Sequence, residues 1–202
     1  MAGTRRRREP APPPDPASAM EVAARFLGTR PRTRWEVERR LKRAGTDDAT
    51  VTATLARLTE LGYLDDAAFA RWWGEQRDRH RPRGQRLIEA ELRQRGVPRE
   101  VIEGFRDEHG DPERAPEDVG LPGTELERAE EALAGHLRGR PLPIDRKAQQ
   151  RIGMFLMRRG FDADTARQAI RSAGSYPGET DDELMSTSHD EETDGALRRQ
   201  HP

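Results

Sequence analysis

Apolar residues recur along most of this chain at intervals of three and four, the period of a helix that buries one face. Sustained alternation at period two is missing between residues 16 and 174, and β-branched residues do not cluster there, so the pattern predicts helices rather than strands. Polar caps and glycines divide it. Ser18 is placed to cap a helix reaching Leu27, ahead of Gly28. Thr33 caps one ending before Gly45, and Asp47 or Asp48 starts one ending before Gly62. Asp65 opens a helix to about Arg79, Pro82 stands near the start of one ending before Gly96, and Pro98 opens a short one to about Phe105. Thr124 leads a helix to about Arg138, Asp145 one ending before Gly160, and Asp162 or Asp164 one ending before Gly174. Side-chain oxygens at the starts and glycines at the stops satisfy the unpaired groups of helix ends. The prediction is nine helices in three groups of three.

The groups repeat. Their middle helices carry Val37, Leu41 and Gly45, then Ile88, Leu92 and Gly96, then Ile152, Leu156 and Gly160. Each is an aliphatic residue, a leucine one turn on, and a glycine one turn further. After each glycine comes a capped helix with its own anchors: Val51, Leu55 and Leu58, then Val101, Ile102 and Phe105, then Ala166 and Ile170. A three-helix module this small buries little apolar surface alone, so the modules are expected to stack. The expected organisation is a disordered basic and proline-rich arm (1–15), repeat 1 (16–62), repeat 2 (63–106), a loop (107–123), repeat 3 (124–174) and a disordered acidic tail (175–202).

Composition supports several small cores rather than one large one, since 36% of residues are charged and 33% hydrophobic. The formal net charge of −1 conceals an asymmetry. Residues 16–106 hold 19 Lys and Arg against 14 Asp and Glu, whereas residues 107–202 hold 13 against 21. A basic front half points to a polyanionic partner. Lys42 and Lys147 are the only lysines, so the cationic groups are almost all guanidiniums, suited to bidentate phosphate or carboxylate contacts. With no cysteine, disulfides, thiolate nucleophiles and cysteine metal sites are excluded. No apolar run approaches a membrane span, and Arg5–Arg8 are followed by EPAPPPDP rather than an apolar leader, so a cytoplasmic location is expected.

The segments RPRTRWEVERRLKRAG, LTELGYLDDAAFARWW, GQRLIEAELRQRGV and RIGMFLMRRGFDADTARQAI, in that order, resemble the RecX family. The resemblance covers roughly residues 18–173, and its most specific piece is Leu61-Gly62-Tyr63-Leu64-Asp65-Asp66 with Phe69-Ala70 behind it. It implies an all-α protein of three tandem three-helix repeats, elongated and curved. It also implies a partner, the RecA protein and its filament on DNA, and an inhibitory effect on strand exchange, ATP hydrolysis and LexA cleavage. Some members also bind DNA directly. No cofactor and no enzymatic activity are implied, and a monomer is expected.

The candidate binding residues follow from the helix faces. With Val37 and Leu41 inward, Arg39, Lys42 and Arg43 fall on the opposite face, and with Ile88 and Leu92 inward, Arg86 and Arg93 do. Arg30, Arg32 and Arg34 precede the first of these helices, and Arg77, Arg79, Arg81 and Arg83 precede the second, where a helix N-terminus adds attraction for anions. These twelve residues form the expected polyanion footprint, as two equivalent basic stripes. In the third middle helix the outward positions hold Gln150, Met154 and Met157. The methionines are read first as core against a neighbouring helix and second as an adaptable protein contact. Phe69 and Trp73 share a face and read as core, while Trp72 is a candidate protein contact. Asp65 and Asp66 read as helix-capping acids, and Glu38 and Glu91 as surface partners of nearby arginines. The five histidines lack metal-ligand spacing, and no phosphate-binding or nucleophile motif is present. The competing reading is a helix-turn-helix-like DNA-binding regulator without a RecA partner, and a further one is an adaptor whose basic face is incidental.

Overall fold

The computed structural model describes residues 15–109 and 123–174. Within them lie nine helices and no strand: α1 (Pro16–Leu27), α2 (Arg34–Arg43), α3 (Asp48–Glu60), α4 (Asp66–His80), α5 (Gln85–Gln94), α6 (Arg99–His109), α7 (Glu125–Leu137), α8 (Arg146–Arg158) and α9 (Ala163–Gly174). The expectations for the arm, the tail and most of the 107–123 loop lie outside the described residues.

The caps follow the sequence at most ends. Thr33 and Thr124 form reciprocal capping boxes with Glu36 and Glu127. Asp47, Asp65 and Asp145 each accept a backbone N–H of the first turn, and Asp162 accepts those of Asp164 and Thr165. Five ends differ in detail from the expectation. Asp15, not Ser18, caps α1 by accepting the Ser18 N–H, and Gly28 follows in a right-handed conformation rather than as a left-handed stop. Helix α5 begins at Gln85 behind Gly84, three residues beyond Pro82. Helix α6 continues to His109, because His109 stacks on Phe105 one turn earlier and its carbonyl accepts from Arg128 of α7. Gly174 lies inside α9.

Three separate cores form, one per group of three helices. Val37, Leu41, Val51, Leu55, Leu58 and Leu64 are buried in the first. Phe69, Trp73, Ile88, Leu92, Ile102 and Phe105 fill the second, and Leu133, Ile152, Leu156, Phe161, Ala166 and Ala169 the third. The paired anchors of the middle helices, one turn apart, are therefore equivalent in all three.

The cores are joined through the ends of the middle helices. The N-cap of α2 sits on the C-terminus of α5, where Thr33 Oγ1 donates to the Arg95 carbonyl at 2.7 Å and the Trp35 ring covers Gly96. The N-cap of α5 sits on the C-terminus of α8, where the Gly84 N–H donates to the Arg159 carbonyl at 2.8 Å and Leu87 covers Gly160. The two joints use the same positions, an N-cap against the residue before the left-handed glycine. Gly96 and Gly160 have φ of 72° and 94°, so each supplies both the helix stop and the flat backbone its neighbour rests on.

Candidate polyanion interface

A row of arginines follows these joints. Arg32 and Arg30 of repeat 1 lie within mutual electrostatic reach, as do Arg30 and Arg95, Arg95 and Arg77, Arg77 and Arg83, and Arg83, Arg81 and Arg159. The row thus runs from the first repeat through the second to the third. Glu36 and Glu91 are the carboxylates it engages most directly: Arg30 meets Glu36 at 3.2 Å, and Arg77 and Arg83 both pair with Glu91. Among the described residues, seven guanidiniums against two carboxylates make the row strongly cationic.

Aromatic rings and one buried acid hold the row in place. Arg77 and Arg95 lie over the Trp73 ring at 4.0 and 3.7 Å, Arg32 over Phe26 at 4.0 Å, and Arg159 over Phe155 at 4.9 Å. Glu91 is 8% exposed and also accepts from Trp73 Nε1 at 2.8 Å. The sequence reading of Glu91 as a surface partner is therefore corrected: it is the buried anion around which the second repeat's share of the row is built. Partial burial, then like-charged neighbours, push Arg83 and Arg159 below the ordinary arginine range. Burial alone lowers Arg77, and burial is the first cause for Arg32 and Arg95. All five remain cations at neutral pH, and fixed cations that repel one another gain when an anion arrives.

Five of the expected footprint residues, Arg30, Arg32, Arg77, Arg81 and Arg83, fall in this row. The others do not. Arg34 donates its N–H to Asp66 and its side chain to Thr59. Arg39 lies over the exposed Trp35 ring, Lys42 is paired with Glu38 and Asp48, and Arg43 is exposed in the last turn of α2. Arg79 is exposed near the end of α4. Arg93 pairs with Glu89, which Arg106 also holds, and Arg86 lines a groove with Met157, Phe161 and Asp162. Among the described residues the outward stripes are neutralised only at Lys42 and Arg93, and Arg39 and Arg43 remain as isolated exposed cations, whereas the joints gather their guanidiniums into one continuous row. Sequence reasoning missed Arg95 and Arg159. The available signal was their shared register, each standing immediately before the glycine that ends its middle helix, where repeat 1 has Ala44.

Met154 and Met157 are 52% and 48% exposed, which overturns their first reading as core and leaves an apolar surface on α8. Trp73 is buried and stacks on Phe69, and Trp72 is half-buried against the same cluster. Among the described residues no group of acids and histidines is arranged to hold a metal ion, and no helix is long and apolar enough to cross a membrane.

Comparison with known proteins gives a consistent picture. Residues 19–58, 65–104 and 124–170 match models described as the first, second and third three-helix domains of RecX. The chain is 34% identical over 155 residues to the regulatory protein RecX of Chlorobaculum tepidum, covering 77% of this chain and 88% of that one. It is 35% identical over 159 residues to the regulatory protein RecX of Mycolicibacterium vanbaalenii, covering 75% and 80%. The crystal structure of RecX from Lactobacillus salivarius superposes with a TM-score of 0.64 at 18% identity, over 80% of this chain and 97% of that one.

Proposed function

The chain belongs to the RecX family, and from that premise we propose that it binds RecA and the RecA–DNA filament and restrains them through the arginine row at its repeat joints. The observation that carries this reading is the continuity of the row across three repeats, with Glu36 and Glu91 as its internal counter-charges. A polymer of protein on DNA offers what such a row fits, a long series of phosphates and acidic side chains. Contacts made by several linked repeats reinforce one another without any single one being strong. Binding along a filament hinders strand exchange, ATP turnover and LexA cleavage by occupying the surfaces these processes share. The protein acts as a regulator without chemistry of its own, in the cytoplasm where recombination, DNA repair and the SOS response occur. Direct binding to single- or double-stranded DNA is part of the same reading, with the salt dependence expected of phosphate contacts.

The test is the DNA-dependent ATPase of the cognate RecA, with this protein titrated from far below to equal stoichiometry. Inhibition at substoichiometric amounts is expected if it acts on the growing polymer, and inhibition near equality if it coats it. No effect at any ratio would overturn the reading.

A further inference from the structure

Each middle helix ends in the same socket, and two of the three are filled. Gly96 is covered by Trp35 and the Arg95 carbonyl by Thr33, while Gly160 is covered by Leu87 and the Arg159 carbonyl by the Gly84 N–H. The third socket is the end of α2, at Ala44 and Gly45. Gly45 has the same left-handed backbone, φ 85°, but among the described residues nothing lies within 4 Å of a Cβ built on it. Thr46 beside it is 6% exposed with a hydroxyl lacking any hydrogen-bond partner, where the equivalent positions hold the apolar Val97 and Phe161. At the opposite end of the series the N-terminus of α8 is equally open. Among the described residues no hydrogen bond seats its Asp145 cap on another helix end, and Ile144 just before the cap is 97% exposed.

We propose that these two open ends are complementary, and that a second copy of this chain docks there: the α8 N-terminus of one copy seats on the α2 C-terminus of the next. The joint follows the plan of the second internal one at its cap, the Asp145 N–H meeting the Ala44 carbonyl as the Gly84 N–H meets the Arg159 carbonyl. Ile144 covers Gly45 from the position before its cap, where Trp35 and Leu87 reach their glycines from positions after theirs. Asp145 is set against Arg40 and Arg43 of the last turn of α2, and Arg146 and Lys147 beside it against Asp47 and Asp48 beyond Gly45. The contact uses two different surfaces and leaves one of each open, so it extends into a line of copies instead of closing into a two-fold dimer. One joint is small, so the free protein is monomeric when dilute, as the sequence reading expects, and the contact acts where copies are crowded end to end. This inference rests on the repeat geometry and not on the function proposed above.

Sedimentation velocity of the full chain, from micromolar to near-millimolar protein, tests it. The weight-average mass should rise continuously with concentration and pass that of a dimer. Ile144→Asp and Arg43→Glu, both at exposed positions outside the cores, should each hold the protein at the monomer mass. An equal mixture of the two variants should recover association but stop at a dimer, because the Arg43→Glu copy keeps an intact α8 end and the Ile144→Asp copy an intact α2 end. A monomer at every concentration, a closed dimer of the unaltered chain, or association unchanged in both variants would overturn the proposal.

Discussion

Gly84→Ala isolates the contribution of one joint. Gly84 has φ −69° and ψ 153°, a conformation alanine adopts freely, so the backbone itself imposes no penalty. The obstacle is its neighbour. A Cβ built on Gly84 overlaps the backbone carbon and oxygen of Gly160 and the nitrogen of Phe161, which are not flexible side-chain atoms and cannot swing aside. Restoring ordinary carbon contact requires the joint to open by more than about 1 Å. The Gly84 N–H to Arg159 carbonyl bond (2.8 Å) and the Arg159 Nη1 to Pro82 carbonyl bond (3.1 Å) both cross that gap. Losing one to two such bonds costs about 1–2 kcal/mol, and the forced repacking of Leu87 and Phe161 about 1–3 kcal/mol more. The expected total is about 2–5 kcal/mol, confined to the coupling of repeats 2 and 3. Urea unfolding followed by helical ellipticity should change from one transition to two, with the third repeat melting first and a reduced apparent m-value. Gly45→Ala is the control, since it meets no neighbour and bears only the left-handed strain of about 1–2 kcal/mol, without splitting the transition. A single transition for Gly84→Ala, within about 0.5 kcal/mol of the unaltered chain, would refute the joint as the main link between repeats 2 and 3, beside the contacts of α7 with His109 and Gln85.

Other outcomes follow from the same geometry. Glu91→Gln leaves Arg77 and Arg83 facing each other without their buried counter-charge, and thermal or urea unfolding should show a loss of about 2–4 kcal/mol. The equivalent Glu38→Gln on the surface should cost under about 0.5 kcal/mol. Glu89 is held below the ordinary glutamate value first by its hydrogen bond from Arg106, which favours the carboxylate. Its stabilisation is therefore complete above the unfolded value near 4.5 and disappears as pH falls through the lower folded value, so acid titration of stability should be shallower in Glu89→Gln. Arg159→Glu should weaken binding to single-stranded DNA and flatten its salt dependence, with a slope change of about one to two, whereas Arg93→Glu, already neutralised by Glu89, should change both much less.

The fold was largely legible in the sequence because its signals are local. Thr33, Asp47, Asp65, Thr124 and Asp145 cap the helices they precede, and the repeated aliphatic, leucine and glycine positions mark three equivalent cores. The less legible features depend on where repeats meet. Gly84 reads as an ordinary loop glycine until Gly160, 76 positions away, is seen against it. Glu91 follows the helical pattern of a surface acid, and only the approach of Trp73, Arg77 and Arg83 from α4 and the loop after it buries it. Helical projection placed Arg39, Lys42, Arg43, Arg86 and Arg93 outward, but it contains no information on which of them find acids nearby. Arg95 and Arg159 sit at helix ends, where a face argument gives no direction, and their grouping with Arg81 and Arg83 is a product of stacking. Met154 and Met157 were misread for the opposite reason: apolar residues at helical spacing suggest a neighbour, and α8 presents them to solvent.

On the function proposed above, charge at the repeat joints, not on the outer helix faces, brings this protein to the recombinase filament. The DNA-dependent ATPase of RecA separates the two, titrated in parallel with the unaltered chain, Arg81→Glu/Arg159→Glu and Arg39→Glu/Arg93→Glu, each verified as folded by its helical ellipticity. The outer-face variant should inhibit as the unaltered chain does, and the joint variant should need at least about tenfold more protein for the same inhibition, the equivalent of two weakened charge contacts. Equal inhibition by the joint variant, or loss of inhibition in the outer-face variant alone, would contradict it.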